Sequence, residues 1–221
     1  MAEKVVVTGG SGRAGEYIIA EFAAHGYEVY NLDSVPPRSG SPSNAAHWWD
    51  VDVANFGEVV NALTGADAVV HMAAIPAPNK DPEHKLFRIN MLANWNVLEA
   101  AEIHSIERIC MASSVNAVGA GWGQQVYRPD YYPVDELHPT RVEDAYSQSK
   151  WLGEEMCEAF VRRRKGKVQI ASMRFHHLWD PEIARWHLEY GDKITVGGRM
   201  AGGFWSWAGR HDAARACRLS I

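Results

Sequence analysis

Short apolar runs alternate along the chain with longer segments in which apolar residues recur every three or four positions. The runs at Lys4–Thr8 and Ala68–Ala73 hold mostly apolar, β-branched residues, as buried strands do. The segment Ala14–His25 has its apolar residues on one helical face. Because successive parallel strands need a helical crossover, this alternation predicts an α/β fold: a doubly wound parallel sheet with helices on both faces.

The same pattern sets the bounds of the predicted elements. The strands are predicted at Lys4–Thr8, Glu28–Asp33, His47–Asp50, Ala68–Ala73, Arg108–Ser113 and Gln169–Arg174, and the helices at Ala14–His25, Phe56–Leu63, Asp81–His104 and Asp144–Arg164. Pro82 is expected at the first position of its helix, where its missing N–H costs nothing. In such a sheet, functional groups belong at the carboxyl ends of the strands.

The composition limits the classes of function. The chain has 221 residues, a mass of 24.6 kDa and 47% hydrophobic residues, which suits one domain with a sizeable core. A net charge of −5 argues against nucleic-acid binding, and the basic run Arg162–Lys165 fits a helix C-terminus better than a nucleic-acid patch. Three cysteines without CxxC spacing indicate a reducing compartment, and no apolar run is long enough to span a membrane. We expect a cytoplasmic protein without a metal site.

The first strand runs directly into three glycines spaced three apart, in the segment Thr8–Gly15. Glycine lets the backbone turn sharply and lets a phosphate approach bare N–H groups, while the following helix points its positive end at the same anion. The turn predicts a dinucleotide site, in a Rossmann-type domain, built from Gly9, Gly12, Arg13, Ala14 and Gly15. Because the spacing differs from the commoner Gly-x-Gly-x-x-Gly, a glycine turn without a ligand is the alternative.

Asp33 ends the second strand 18 residues after Gly15, close to the spacing of about 20 at which an acidic residue binds the adenosine ribose. Its carboxylate would accept from both ribose hydroxyls and repel a 2′-phosphate, which favours NAD over NADP. Arg13 and Arg38 are cations that could bind such a phosphate, so NADP is the less favoured cofactor. Asp33 could instead form a turn, and Asp52 could either accept from the adenine amino group or cap the following helix.

Tyr146 and Lys150 stand four residues apart in a predicted helix and so share a face. A phenol with a pKa of about 10 is a poor base at neutral pH, and we expect the ammonium, with the positive nicotinamide, to favour the phenolate. Tyr146 would then act as an acid or base. Ser114 follows the fifth strand, where it would either hydrogen-bond a substrate oxygen or cap a turn.

These residues together resemble the extended short-chain dehydrogenase/reductase family, also called the NAD-dependent epimerase/dehydratase family. The resemblance runs from Val5 to the end of the chain. It is carried by Thr8–Gly15, Asp33, Asp52-Val53, His71–Ala74, Asn90, Asn96–Ala101, Ala112–Ser114, Tyr146 with Lys150, and Arg174.

The resemblance implies a role for each matching residue. Tyr146 would be the catalytic acid/base, Lys150 would lower its pKa and hold the nicotinamide ribose, and Ser114 would orient the reacting hydroxyl or carbonyl. Further cofactor contacts are implied at Asp52, Val53, Ala73, Ala74 and Ile75, with support from Asn90. Family members commonly pair through two helices, here Ile89–Ala101 and Ala145–Phe160, so a homodimer is expected.

Departures from the family pattern narrow the substrate. Val115 and Asn116 follow Ser114 where dehydratases have an Asp-Glu pair, which disfavours dehydration. Only 71 residues follow Lys150, which leaves little to hold a nucleotide sugar. The chain looks most similar to the small uronate dehydrogenases, although Pro76 and Val115 stand where those enzymes present polar groups to the sugar.

The remaining substrate candidates lie near the end of the sixth strand. Arg174 and His176 could bind an acidic or sugar-like substrate. His176 and His177 point to opposite faces of a strand, so they do not form a metal site.

The tail after residue 178 is less regular and holds Trp179, Trp186, Trp205 and Trp207 among glycines. We expect residues 1–178 to form the NAD(P)-binding domain and 179–221 a small substrate-binding region on it, with 208–221 returning to the main domain. The tryptophans would fill the core of this region or form a ligand platform. Asp212–Leu219 has a helical pattern that stops at Ile221, as in a chain that is cut short.

The sequence therefore predicts an NAD-dependent oxidoreductase that moves hydride between nicotinamide and a sugar, sugar acid or related polyol. A nucleotide-sugar epimerase with tightly bound NAD would use the same residues. A regulator that senses NAD(P) without catalysis is a third possibility, but it would not need Ser114, Tyr146 and Lys150 together.

Overall fold

The computed structural model describes residues 2–123, 128–190 and 206–221, and for Leu188 and Tyr190 it describes the backbone alone. Trp205, one of the tail tryptophans named above, lies outside these residues.

Six parallel strands form the central sheet. They are β1 (Lys4–Thr8), β2 (Glu28–Leu32), β3 (His47–Trp49), β4 (Ala68–His71), β5 (Arg108–Ser114) and β6 (Gln169–Phe175). Their order across the sheet is β3-β2-β1-β4-β5-β6. The order reverses beside β1, and at such a switch point the carboxyl ends of the strands leave a crevice for a ligand.

The described helices cover both faces of this sheet. They are α1 (Gly15–Ala24), α2 (Phe56–Ala62), α3 (Glu83–Ile103), α4 (Ala145–Arg163), α5 (Pro181–Tyr190) and α6 (Arg210–Leu219). A separate parallel pair joins β7 (His177–Trp179) to β8 (Trp207–Gly209). The predicted doubly wound fold is confirmed, with strand bounds within two residues of those predicted.

Alternation along β1 divides the core into two layers. Val6 points to one face of the sheet, where it packs with Val59, Val97 and Phe160 from α2, α3 and α4. Val5 and Val7 point to the other face, where α1 and α6 pack. The central strands β1, β4 and β5 are therefore buried on both sides, which explains their near-continuous apolar sequences.

Capping side chains set where several helices begin. Asn55 Oδ1 accepts from Gly57 N at 3.1 Å at the start of α2, and Asp144 Oδ1 accepts from Ser147 N at 2.9 Å at the start of α4. Pro82 is the residue before α3, so the prediction that it opens the helix is wrong by one residue. A proline tolerates either position because neither needs its N–H.

Two features are absent from the parts of the chain that the structure describes. None of the helices there is long and apolar enough to cross a membrane. The same residues include no cluster of three His, Cys, Asp or Glu side chains placed to hold a metal ion.

Candidate active site

The glycine turn after β1 is tight. Gly9 has a φ of +68°, and a Cβ there would lie 2.7 Å from Ala73 N. A Cβ on Gly15 would lie 2.2 Å from Gly9 O, so neither position can carry a side chain without moving the backbone. Gly12 differs, because it is exposed and the nearest atom to its Cβ position is Gly9 O at 3.1 Å. The absence of a side chain at Gly9 and Gly15 lets the turn pack tightly, and its absence at exposed Gly12 leaves the backbone there uncovered.

Asp33 lies beside this turn. Its Oδ2 accepts from Ser11 N at 3.0 Å, and its Oδ1 accepts from Val35 N at 3.0 Å. The carboxylate thus forms the turn after β2, as one interpretation held, and also stands next to the glycine turn, as the other requires. Of the two nearby cations, Arg13 is exposed, whereas Arg38 is bound by Glu16.

Thr8 joins β1 to the end of β4. Its hydroxyl oxygen accepts from Met72 N and Ala73 N, each at 3.2 Å, and lies 2.6 Å from His71 Nδ1. Since both lone pairs are used, the single hydroxyl proton goes to Nδ1, which must be the unprotonated ring nitrogen. His71 Nε2 then donates to Asn94 Oδ1 at 3.2 Å. Burial and the charge of Lys150 lower the pKa of His71 to about 3, which agrees with a neutral ring.

Asn90 on α3 holds the chain just after β4. Its Oδ1 accepts from Ile75 N at 2.8 Å, and its Nδ2 donates to Ile75 O at 3.2 Å. The same Nδ2 lies 3.1 Å from Ser149 Oγ, which donates to Tyr146 O at 2.7 Å. Asn90 therefore links the segment Ala73–Ile75, a predicted cofactor contact, to the helix that carries Tyr146 and Lys150.

Ser114 and Tyr146 come together at the carboxyl end of β5, and both are buried. The Ser114 hydroxyl accepts from Asn116 N at 3.2 Å and also hydrogen-bonds the Tyr146 phenol. Ser114 therefore caps the short turn Val115–Val118, as one interpretation held, and also faces Tyr146. Its hydrogen bond to a substrate oxygen stays a prediction.

The pKa of Tyr146 differs from expectation. Burial raises it above the ordinary value, Asp144 adds to the rise, and the hydrogen bond from Ser114 opposes it. In the protein alone, burial therefore outweighs any lowering of this pKa, and the expected effect of Lys150 together with a bound nicotinamide stays a prediction. Spacing on a helix shows which side chains are neighbours but not how completely the fold removes them from water.

Lys150 is buried one helical turn beyond Tyr146. Its Nζ donates to Ala112 O at 2.7 Å and lies 5.7 Å from the centroid of the Tyr146 ring. Burial lowers the pKa of Lys150 to about 8, and the charge of Glu154 opposes this. The backbone of β5 thus fixes the ammonium beside the phenol.

Glu154, another turn along α4, is a residue that the sequence analysis missed. It accepts from Ser113 Oγ, and its two oxygens accept from Arg174 Nε and Nη2 at 3.0 and 2.8 Å. Arg174, predicted as a substrate contact, is therefore engaged by a carboxylate. The available signal was position, since Glu154 follows Lys150 by four residues on the same helical face.

The remaining predicted site residues are spread over several loops and strand ends. Asp52 is exposed and accepts from Ala54 N, while Val53 O accepts from Asn96 Nδ2. Pro76 is exposed beyond Ile75, and Val115 and Asn116 are half-buried beside Ser114. His176 Nδ1 contacts Ser206 Oγ, and burial, with the neighbouring His177, lowers its pKa.

Comparisons with known proteins show the family of the chain. The model of the NAD dependent epimerase/dehydratase family matches residues 5–194. A relative named NAD-dependent glucose-6-phosphate dehydrogenase, from Haloferax volcanii, is 29% identical over 188 residues, which cover 80% of the chain and 71% of that protein. Human UDP-glucose 4-epimerase is 27% identical over 175 residues, or 71% of the chain and 48% of that protein. The chain spans about half the length of the first relatives it matches.

Solved structures share the fold. A UDP-glucose 4-epimerase from Brucella ovis in complex with NAD has a TM-score of 0.78 at 18% identity, covering 99% of the chain and 73% of that structure. A mutated uronate dehydrogenase has a TM-score of 0.74 at 21% identity, covering 100% of the chain and 70% of that structure.

Proposed function

The chain belongs to the NAD-dependent epimerase/dehydratase family, and from this premise we propose that it binds NAD and catalyses hydride transfer to or from a sugar, sugar acid or related polyol. The observation that carries this proposal is the junction at the end of β5, where the buried Ser114, Tyr146 and Lys150 meet. A non-catalytic NAD(P)-sensing regulator would have no use for a hydroxyl, a phenol and an ammonium buried together.

The glycine turn fits a dinucleotide. A Cβ would collide with backbone atoms at Gly9 and Gly15. At Gly12 it would lie 3.1 Å from Gly9 O on an exposed part of the turn, where a pyrophosphate would lie. Gly12, Arg13 and Ala14 would bind the phosphates, Asp33 the adenosine ribose, and Lys150 with Tyr146 the nicotinamide ribose. Ala73, Ala74 and Ile75 would line the nicotinamide side, while Asp52 and Val53 would border the adenine.

The chain's own residues would handle the proton. Bound NAD would take up or return the hydride at its nicotinamide ring, and its oxidised form would favour the phenolate by its positive charge. Tyr146 is protonated at neutral pH in the protein alone because the ordinary pKa of a phenol is about 10 and burial raises it further, so Oη can donate a proton to a carbonyl oxygen. In the opposite direction, Oη would accept the proton of the substrate hydroxyl, which Ser114 would orient.

The substrate pocket would be bordered by Pro76, Val115, Asn116, Arg174 and His176. Because Glu154 neutralises Arg174, this arginine would bind a sugar through hydrogen bonds rather than through a full positive charge. We therefore place neutral aldoses beside uronates in the set of substrates to be tested.

A direct test uses reduced nicotinamide as the readout. The chain is incubated with NAD and a panel of aldoses and uronates, and the absorbance of NADH is followed for the wild type and for Tyr146→Phe. We expect NADH from at least one sugar with the wild type, and a loss of about 100-fold or more in the variant. Absence of NADH with every sugar would contradict the dehydrogenase proposal.

A nucleotide-sugar epimerase is the second candidate, because human UDP-glucose 4-epimerase is among the relatives. It would interconvert UDP-glucose and UDP-galactose without net NADH, and the purified protein would carry NAD. A Tyr146→Phe variant that binds NAD and keeps its full biological effect would favour the regulator instead.

We propose a homodimer formed through α3 and α4. On α3, the side chains of Leu92, Trp95 and Ile103 are 42%, 45% and 55% exposed, and Trp95 packs edge-on against Phe160 of α4. Exposed apolar side chains on α3, one of which packs against α4, support an interface on this side of the molecule. The mass in solution should be that of a dimer, and Trp95→Glu should give a monomer; a monomeric wild type would contradict the interface.

We also propose a cytoplasmic location and a division of the chain at residue 178. The three cysteines are free thiols, as expected for a reducing compartment. The boundary at residue 178 falls within β7, which pairs with β8. The return of 208–221 to the NAD-binding domain is supported by α6, where Arg218 Nε donates to Glu21 Oε1 of α1 at 2.8 Å. Residues 179–221 would thus form the substrate-binding region, with 208–221 returning to the NAD-binding domain.

A further inference from the structure

The loop that follows β2 is fastened to the start of α1. Arg38 Nη2 donates to Glu16 Oε2 at 3.2 Å, and Ser41 Oγ donates to the same oxygen at 3.0 Å. Further along the loop, Ser43 Oγ donates to Gly10 O of the glycine turn at 2.6 Å. The first cation after Asp33 is thereby held on the helix that begins at the phosphate-binding turn.

Glu16 is the buried partner of this ion pair. Its side chain is 10% exposed, whereas that of Arg38 is 74% exposed. A buried carboxylate that loses a charged partner is destabilised more than an exposed one. If Arg38 moved to a ligand, Glu16 would keep only Ser41 and the positive end of α1 as partners.

The Glu16–Arg38 pair lies in the part of the fold that would bind the adenosine end of a dinucleotide. Asp33 is fixed beside the turn by Ser11 N and Val35 N. A phosphate on the ribose 2′ oxygen would meet the Asp33 carboxylate and would need a cation to offset it. Arg38 follows Asp33 by five residues in the loop after β2, and its Nη2 already donates to Glu16.

We propose that Glu16 is a specificity-determining residue: by holding Arg38, it withholds the cation that a 2′-phosphate would need and so helps Asp33 to exclude NADP. This inference rests on the proposed NAD site. The discrimination between NAD and NADP would then depend on two carboxylates: Asp33 would repel the 2′-phosphate, and Glu16 would keep Arg38 away from it.

The test measures the dissociation constants of NAD and NADP by isothermal titration calorimetry, which does not depend on catalysis. The variants are Asp33→Asn, the double variant Asp33→Asn/Glu16→Gln, and the same double variant with Arg38→Ala added. We expect Asp33→Asn/Glu16→Gln to bind NADP about tenfold more tightly than Asp33→Asn, since the released guanidinium can then bind the phosphate. Adding Arg38→Ala should remove this gain.

The matched control is Glu21→Gln in the Asp33→Asn background. Glu21 lies on the same helix and also binds an arginine, Arg218, at 2.8 Å, but away from the turn. This control should match Asp33→Asn in its affinity for both cofactors. An equal gain from Glu21→Gln would overturn the proposal.

A second comparison leaves Glu16 in place and so does not depend on how that variant folds. Asp33→Asn/Arg38→Ala should bind NADP as weakly as Asp33→Asn, because Arg38 is already withheld. A marked further loss would mean that Arg38 reaches the phosphate despite Glu16, which overturns the proposal. A wild type that binds NAD, with a cofactor preference unaffected by Glu16, would refute this inference alone; one that binds neither cofactor would also refute the proposed function.

Discussion

Lys150 should make the folded protein less stable at neutral pH, because its ammonium is buried. The substitution Lys150→Met keeps a side chain of similar length and removes the charge. Burial lowers the pKa of Lys150 from 10.5 to about 8, which corresponds to about 3 kcal/mol of unfavourable free energy in the folded state. Ala112 O would lose its donor in the variant, at about 1 kcal/mol. We therefore expect Lys150→Met to be about 2 kcal/mol more stable than the wild type at pH 7.

The stability penalty from the buried Lys150 ammonium depends on pH. Below about pH 8 the lysine is protonated in both the folded and unfolded states, and the full penalty is present. Between about pH 8 and 10.5 the unfolded chain holds the proton more tightly, so the stability contributed by this group rises with pH. The advantage of Lys150→Met should shrink over that range.

Urea unfolding of both proteins from about pH 7 to about pH 9.5 measures this difference. Lys80→Met is the control, since Lys80 is exposed and its removal should change stability by less than about 0.5 kcal/mol. A Lys150→Met protein that is less stable than the wild type at pH 7, or an advantage that does not change with pH, would refute the reasoning.

Three further predictions concern the turn and its supports. Gly15→Ala should destabilise the fold by about 3 kcal/mol, because its Cβ would lie 2.2 Å from Gly9 O. Gly57→Ala is the control and should not destabilise the fold, since its Cβ would lie 3.6 Å from the nearest atom, Asn55 Oδ1. Thermal unfolding of the two variants measures the difference. Gly12→Ala should keep the fold, as seen by circular dichroism, yet weaken NAD binding in calorimetry by at least about tenfold; unchanged affinity would argue against phosphate contact there. Acidification from about pH 6.5 towards about pH 3 should lower the stability of the fold, because buried His71 stays neutral while the same histidine in the unfolded chain takes up a proton. The His71→Gln variant should lose less stability over this range. An equal loss would contradict the burial of this ring.

The local parts of the fold could be predicted from the sequence. Strand β1 has the predicted bounds, and β5 extends only one residue further, to Ser114. These bounds follow from apolar periodicity and from glycine or capping signals that act within a few residues. The small β7–β8 pair was not predicted, because it joins segments separated by nearly thirty residues and carries no periodic pattern of its own.

The site was predictable in its membership but not in its electrostatics. Helical spacing placed Lys150 beside Tyr146, and the strand end placed Ser114 near both. The pKa of Tyr146 in the protein alone is raised by burial, and helical spacing carries no information about how much water the whole fold excludes. Glu16 with Arg38, and Glu154 with Arg174, are pairs of residues 20 or more positions apart that only the packing brings together.

Transfer of hydride from a sugar to NAD, with Tyr146 as the acid/base, is the step on which the proposed function depends. It can be followed by mass spectrometry of the nicotinamide after incubation with NAD and a panel of fully deuterated aldoses and uronates. We expect deuterium on the nicotinamide ring with the wild type, and labelling at least about 100-fold slower with Tyr146→Phe. A wild type that binds NAD but leaves it unlabelled with every sugar, or a Tyr146→Phe variant that labels it at the same rate, would show that the chain does not use this chemistry.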